Sequence, residues 1–397
     1  MEVSGIGIVS VFGTSRERFR DRLLEGDTGI APISAFETSS CRTTLAGEIK
    51  EFDAAAWVPP MKLRRLDRTG VYAIAASRLA LEDAGAAPAT AGDDDTGVLL
   101  GTWTAGGGST QQFLDALFRG GPAAAPALLF DSTVGNSAAG LTGLEFKLRG
   151  PNITLSHKEA SGLAAIVGAL DLLREGRAQG VVTGGVDALF ETFFKAHDRF
   201  SVMSPVTDGS DGGGPFDANG AGFFMGEGAF IFHLRGGAGT PRHGSILGSA
   251  ASSAAVPVNA WPSSPQPLAR TMRLALEDAG VTPREVSVVY ASANGTTLDD
   301  VEARAIGETF SDSSPVVTAI KGALGECGAS GAASCAAAFL CGAAGKVPPI
   351  AGLKAPSAAA SDLRLARAAV PLDGPIALVN SFASGGALFS AVLRVGA

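Results

Sequence analysis

Apolar positions along this chain fall into two kinds of pattern. The first is the short, continuous apolar run bounded by glycine or polar residues. It recurs at Val3–Val9, Thr96–Leu100, Asn152–Ser156, Gly180–Gly184, Gly228–Leu234, Val286–Tyr290, Val316–Ile320, Ile376–Asn380 and Ala387–Val395. Runs without polar alternation read as strands covered on both faces. The second pattern repeats at helical spacing, as in Ala160–Arg174 and Leu268–Ala279. Strands alternating with such helices predict a layered α/β architecture with helices on both sheet faces.

One element pair is repeated. Ser77–Gly85 reads SRLALEDAG and Met272–Gly280 reads MRLALEDAG, 195 residues further on. Both look like the end of an amphipathic helix stopped by glycine. Both are followed by a polar turn and a β-branched run, TGVLL in one copy and VSVVY in the other. Two copies at so long a period predict a duplicated α/β unit, not a solenoid. The Gly/Asp-rich stretch Met203–Gly228 reads as a long functional loop.

Composition narrows the function classes. The 397 residues carry a net charge of −8, and only 18% are charged against 46% hydrophobic, so much surface is expected to be hidden in a core or an interface. An acidic chain without basic clusters is not expected to bind nucleic acid or a membrane surface. Cys41, Cys327, Cys335 and Cys341 contain no CxxC pair and read as thiols in a reducing compartment. The four histidines show no metal-ligand spacing, so neither metal nor cofactor is expected. The glycine runs Ala105–Gly108 and Gly212–Gly214 lack the phosphate-loop pattern. No leader or apolar span long enough for a membrane is seen, and a cytoplasmic location is expected.

A series of motifs in order along nearly the whole chain resembles the β-ketoacyl synthases, the condensing enzymes of fatty-acid and type II polyketide synthesis. They are SGIGIVSVFG (Ser4–Gly13), LLEGDTGIAPISAFETS (Leu23–Ser39), AGEIKEFD (Ala46–Asp53), RRLDRTGVYAIAAS (Arg64–Ser77), VGNSAAG (Val134–Gly140), LRGPN (Leu148–Asn152), GGVDAL, PFDANGAGFFMGEGA (Pro215–Ala229) and NSFASGG (Asn380–Gly386). The resemblance implies a thiolase-like fold: two βαβαβαββ halves, 1–245 and 246–397, stacked in five α-β-α-β-α layers.

The active positions differ from those of condensing members. There a cysteine at the start of a buried helix is activated by the helix dipole and free backbone N–H groups. In Ser156-His157-Lys158-Glu159-Ala160-Ser161-Gly162 the matching position is Glu159, which cannot take an acyl chain from a thioester as a new thioester. The two histidines that stabilise the malonyl-derived enolate fall on Asn294 and Glu326, while the family lysine is kept as Lys321. A carboxylate at 326 would repel a developing enolate.

The resemblance therefore implies a chain-length-factor type subunit, without intact catalysis, paired with an active ketosynthase and serving carrier-protein-bound acyl chains. Related chain-length factors carry glutamine where this chain has Glu159. The alternative is a homodimeric ketosynthase-like enzyme with altered acyl-transfer or acid/base chemistry through Glu159, Lys321 and Glu326. Glu159 is expected to sit at a helix start, paired with Lys321 and ionised, with Glu326 the acid of raised pKa. His157 is expected to end its strand and satisfy local polar groups. Trp103, Phe113, Phe118, Phe130 and Thr133 are expected to line the acyl tunnel or the subunit interface.

Overall fold

A computed structural model describes residues 1–86, 92–206, 213–237 and 242–396. Gly212 and part of the Met203–Gly228 stretch lie outside the described residues. Ten strands form the main sheet: β1 (Glu2–Val9), β2 (Thr96–Gly101), β3 (Asn152–Leu155), β4 (Gly180–Asp187), β5 (Gly228–Arg235), β6 (Gly244–Ser253), β7 (Val288–Tyr290), β8 (Val316–Thr318), β9 (Ile376–Phe382) and β10 (Ala387–Val395). Nine match the apolar runs of the sequence. The tenth, β6, was missed because its residues GSILGSAASS are small and polar, and its edge alternates between buried and half-exposed positions.

The order of the strands exposes the duplication. The first five run β3-β2-β4-β5-β1 and the second five β8-β7-β9-β10-β6. In each set three parallel strands are followed by two antiparallel ones. Among the described residues the strand sets pair where β1 meets β6, at Glu2 with Ser245 and Val3 with Gly244. Each half therefore has the βαβαβαββ order expected from the resemblance.

Helices fill three layers. Helix α1 (Arg68–Asp83) and α3 (Ser137–Phe146) cover the outer face of the first set, and α6 (Gln266–Ala279) with α7 (Leu298–Thr309) the outer face of the second. Between the sets lie α4 (Ser161–Arg174) and α8 (Ser330–Ala343), packed on each other. Three buried apolar clusters match these layers: one around α1, one around α6 and α7, and the largest around the central pair. Helix α8 is SGAASCAAAFLCGA, buried from Ser330 to Gly342, because side chains this small let both sheets approach one helix pair. Cys335 and Cys341 lie in that helix and Cys327 just before it. All three are buried free thiols, and Cys41 is free and half-buried.

The sequence repeat does the same work in both halves. Gly85 and Gly280 end their helices in the left-handed region at φ 65° and 63°. The aspartates two residues earlier reach back to the first strand of their own half. Asp83 Oδ2 accepts from Ile6 N at 2.9 Å, and Asp278 Oδ2 accepts from Ser249 N at 2.8 Å. Each also makes a contact that links the two sets of strands. His243, at the entry to β6, and Arg242 contact Asp83, while Arg174 at the end of α4 donates to Asp278. Arg16 completes the set around Asp83.

Asp83→Ala should cost more than Asp278→Ala, because their side chains are 2% and 37% exposed. About 2–4 kcal/mol is expected for the first and about 1 kcal/mol for the second, measured by urea denaturation. The carboxyl of Asp83 is held at about 2 by His243, Arg16 and Ile6 N despite its burial. Its contribution is therefore present above about pH 4 and lost as pH falls through 2, and Asp83→Ala should remove that acid limb. Equal losses for the two variants would refute the asymmetry.

Candidate functional site

The edge strand β3 delivers the chain to a sharp elbow. After Leu155, Lys158 adopts φ 53°, uncommon for a residue with a side chain, and a single 3-10 turn, Lys158–Ala160, leads into α4. Ser161 braces the elbow: its Oγ accepts from His157 N at 2.9 Å and donates to Lys158 O at 2.6 Å. The elbow is pressed against its neighbours. A Cβ at Gly101, the last residue of β2, would lie 1.9 Å from Ser161 O, so only glycine fits there. Gly162 N donates to Gly328 O at 2.7 Å, joining the starts of α4 and α8. His157, expected to end the strand, lies two residues past the end of β3, just before the 3-10 turn, with its ring edge-on to Phe389.

Glu159 points from this elbow into the interior and is 3% exposed. Its Oε1 accepts from Ser384 Oγ at 2.8 Å and its Oε2 from Ser384 N at 3.2 Å. Lys158 turns the other way, its Nζ donating to Asn259 Oδ1 at 2.5 Å and Ser384 Oγ at 2.6 Å and lying over the Trp103 ring at 5.8 Å. These residues form the floor of a cavity of about 570 Å³ walled by Trp103, Phe200, Phe223 and Trp261. Trp103 is fixed by Asp187, which accepts from Trp103 N at 2.9 Å, and by edge-on contacts with Phe193 and His197. His197, Asn259 and Ser384 were not singled out from the sequence. Of these only Ser384 fell inside a quoted motif.

Behind Glu159 a second cluster closes on itself. Glu326 Oε2 accepts from Lys321 Nζ at 2.7 Å and from Asn294 Nδ2 at 3.0 Å. Lys321 Nζ also donates to Ser292 O at 2.6 Å. The side chains of Lys321 and Glu326 are 4% and 0% exposed. Glu326 Oε1 has no hydrogen-bond partner among the described residues. Asn294 is turned by its own loop, with its Oδ1 accepting from Thr296 Oγ1 at 2.6 Å. Asp299 receives Asn294 N, Gly295 N and Phe216 N, and Glu302 receives Ser292 N and Asn380 Nδ2.

The expected pairing of Lys321 with Glu159 is therefore corrected. Lys321 begins the segment that ends in Glu326, five residues on, and its ammonium is consumed there. Without it, burial pushes the Glu159 carboxyl up to about 7, with the nearby Glu326 adding to the rise and Lys158 opposing it. Glu159, expected to be held ionised by Lys321, instead has a raised pKa. Burial likewise raises Asp299 to about 6 and Glu302 to about 7.

Phe113, Phe118, Phe130 and Thr133 do not line this cavity. They lie on α2 (Gly107–Gly120) and the following turn, where Phe113 packs on Phe130 and Phe118 is 80% exposed. Only Trp103 of that group reaches the Glu159 cavity. Among the described residues no cluster of His, Cys, Asp and Glu could hold a metal ion, and no helix is long and apolar enough to cross a membrane.

Two measurements test the cluster. Lys321→Met strands Glu326 and should destabilise by about 3–5 kcal/mol, whereas Glu159→Gln, which replaces a carboxyl close to neutral, should cost about 1 kcal/mol or less. The reverse order would refute the pairing. Because the folded-state pKa of Glu159 lies above its unfolded value, its contribution is complete below about pH 4.5 and fades as pH rises through 7. Stability should thus fall between about pH 5 and 7, and the fall should be shallower in Glu159→Gln, at most by the ~1.4 kcal/mol per pH unit that one proton supplies.

Comparison with known proteins agrees with this frame. The family models for the β-ketoacyl synthase N-terminal and C-terminal domains match residues 1–235 and 243–354. The tetracenomycin polyketide synthase ketoacyl synthase beta subunit of Streptomyces glaucescens is 35% identical over 89% of this chain and 88% of that protein. The actinorhodin polyketide putative beta-ketoacyl synthase 2 of Streptomyces coelicolor is 32% identical over 80% of this chain and 79% of its own length. Among solved structures, the ishigamide ketosynthase/chain length factor superposes with a TM-score of 0.91 at 27% identity, covering 100% of this chain and 99% of that one. A β-ketoacyl synthase from Burkholderia phymatum superposes equally well, TM-score 0.91 at 26% identity, covering 100% of this chain and 99% of its own. The chain belongs to the β-ketoacyl synthase family and has its thiolase-like fold.

Proposed function

We propose that this chain is a non-condensing, chain-length-factor type subunit that pairs with an active ketosynthase during condensation of acyl and malonyl carrier-protein thioesters. The observation that carries the reading is the Glu159 carboxyl at the elbow, where condensing relatives have a thiolate. It cannot hold an acyl group as a thioester. The enolate-stabilising positions support the same reading: Asn294 and Glu326 are bonded to each other, and Lys321 is spent on Glu326. The alternative, acid/base or acyl-transfer chemistry through Glu159, Lys321 and Glu326, would need all three at one open centre. Lys321 and Glu326 are instead sealed behind the cavity.

The surface supports a partner. Among the described residues strand β3 is at the edge of the sheet, with a strand paired on one side of it. Beside it in sequence, Phe118, Leu128, Phe130, Val134 and Leu144 are between 45% and 80% exposed. Apolar side chains in such number mark a contact surface, and an obligate interface of more than about 2,000 Å² would cover them. In this reading Phe113, Phe118, Phe130 and Thr133 serve the subunit interface and the tunnel wall near it, and the halves 1–245 and 246–397 act as one body.

Incubated with acyl carrier-protein thioesters, the purified chain should show no covalent acyl adduct by intact-protein mass spectrometry. Glu159→Cys alone should not restore condensation. A stoichiometric adduct on the unaltered chain would refute the reading. Co-expressed with an active type II ketosynthase as partner, the chain should elute as a 1:1 complex, and a Phe118→Asp/Phe130→Asp variant should lose the complex. A stable, well-behaved monomer in the presence of that partner would refute the assembly.

A further inference from the structure

The floor of the Glu159 cavity carries a cation that, among the described residues, makes no direct ion pair and meets Glu159 only through Ser384. Lys158 Nζ is held by two neutral oxygens, Asn259 Oδ1 and Ser384 Oγ. Among the described residues no carboxylate lies within ion-pairing distance of it, and Glu159 is committed to Ser384. The backbone strain at Lys158, φ 53°, fixes the direction in which this side chain leaves the elbow. Around it stand aromatic walls, Trp103, Phe200, Phe223 and Trp261, and a rim of hydroxyls from Thr296 and Thr297. A cavity of about 570 Å³ with apolar walls and a few convergent polar groups has the size and character of a small-molecule site.

We propose that this cavity binds a small ligand bearing a carboxylate on a planar apolar body, with Lys158 as the group that recognises the carboxylate. The role goes beyond that of a chain-length subunit and requires neither partner nor carrier protein. An ammonium among neutral dipoles and aromatic rings is incompletely compensated, and an incoming carboxylate supplies the missing charge. The other titratable groups near the floor leave Lys158 as its cation. His157 and His197 are both pushed by burial toward the neutral form, and Lys321 is tied to Glu326. Negative charge on Glu159 and Glu326 opposes the ligand, and Glu159 is the one of these that lines the cavity. Protonation of Glu159 therefore favours binding.

The test is calorimetric titration of the full chain with 3-phenylpropionate and with its neutral isostere 3-phenylpropionamide, at pH 6 and pH 8. At pH 6 the acid should bind about tenfold more tightly than the amide, a difference of ~1.4 kcal/mol. At pH 8 that preference should shrink several-fold, and Glu159→Gln should restore it. Lys158→Met should abolish the preference for the acid, and Lys158→Arg should keep it. Equal binding of acid and amide, failure of both to bind, or an undiminished preference in Lys158→Met overturns the proposal. If Lys158→Met does not fold, the acid/amide ratio and its pH dependence in the unaltered chain and in Lys158→Arg decide the matter. A chain that binds the acid as proposed yet takes an acyl adduct from carrier thioesters would overturn the non-condensing role and leave this site standing.

Discussion

Everything at the site depends on how closely two central helices approach each other. Helices α4 and α8 lie between the two sets of strands, and Gly162 N donates to Gly328 O where the helices begin. That contact exists because no side chain intervenes: a Cβ on Gly162 would fall 3.1 Å from both Gly328 O and the methyl of Ala332. The run of alanines and glycines in α8 extends the same closeness along the helix. One acid precedes each helix, Glu159 before α4 and Glu326 before α8. Packing the helix starts together therefore brings two carboxyls into one desolvated region, whatever their chemistry.

A single buried ammonium then decides the electrostatics. Lys321 and Glu326 are five residues apart and linked by one short helical turn, so their contact needs little ordering beyond that of the turn itself. Glu159 is reached only across the helix pair. The local partner wins, and Glu159 is left with one serine as its hydrogen-bond donor, its proton affinity raised by burial and by the charge on Glu326. Lys158, next in sequence, cannot replace Lys321, because the left-handed elbow turns its side chain into the cavity while Glu159 turns inward. The same elbow thus produces an acid of raised pKa and a cation that reaches it only through Ser384.

Much of the fold was legible because buried strands and amphipathic helices announce themselves by composition and period. The duplication was legible because it left eight identical residues of nine, and the structure shows why those residues matter: Asp83 and Asp278 clip their helices to β1 and β6. Strand β6 itself escaped, since Gly244–Ser253 lacks the large β-branched residues that mark a strand, and it is held by its ladder with β10. Positions 159, 294 and 326 were singled out from the motifs around them, and the structure brings Glu159 to the cavity and Asn294 and Glu326 together behind it. His197 and Asn259 were not, because they come from a helix and a loop with no chemical signature of their own, and Ser384 appeared only as one residue of the NSFASGG motif.

The sequence by itself determined which side chains occupy the elbow, the two positions facing it and the two helix starts, since motif order assigns those positions residue by residue. It also determined that helices and sheets would stack in a doubled arrangement. Only the tertiary structure decided which charges meet. Distances across the α4–α8 pair are set by packing of small side chains between segments far apart in sequence, and one ammonium has a single place to go. Whether Lys321 meets Glu159 or Glu326 is a question of a few ångströms, and the chain's linear order contains no measure of that distance.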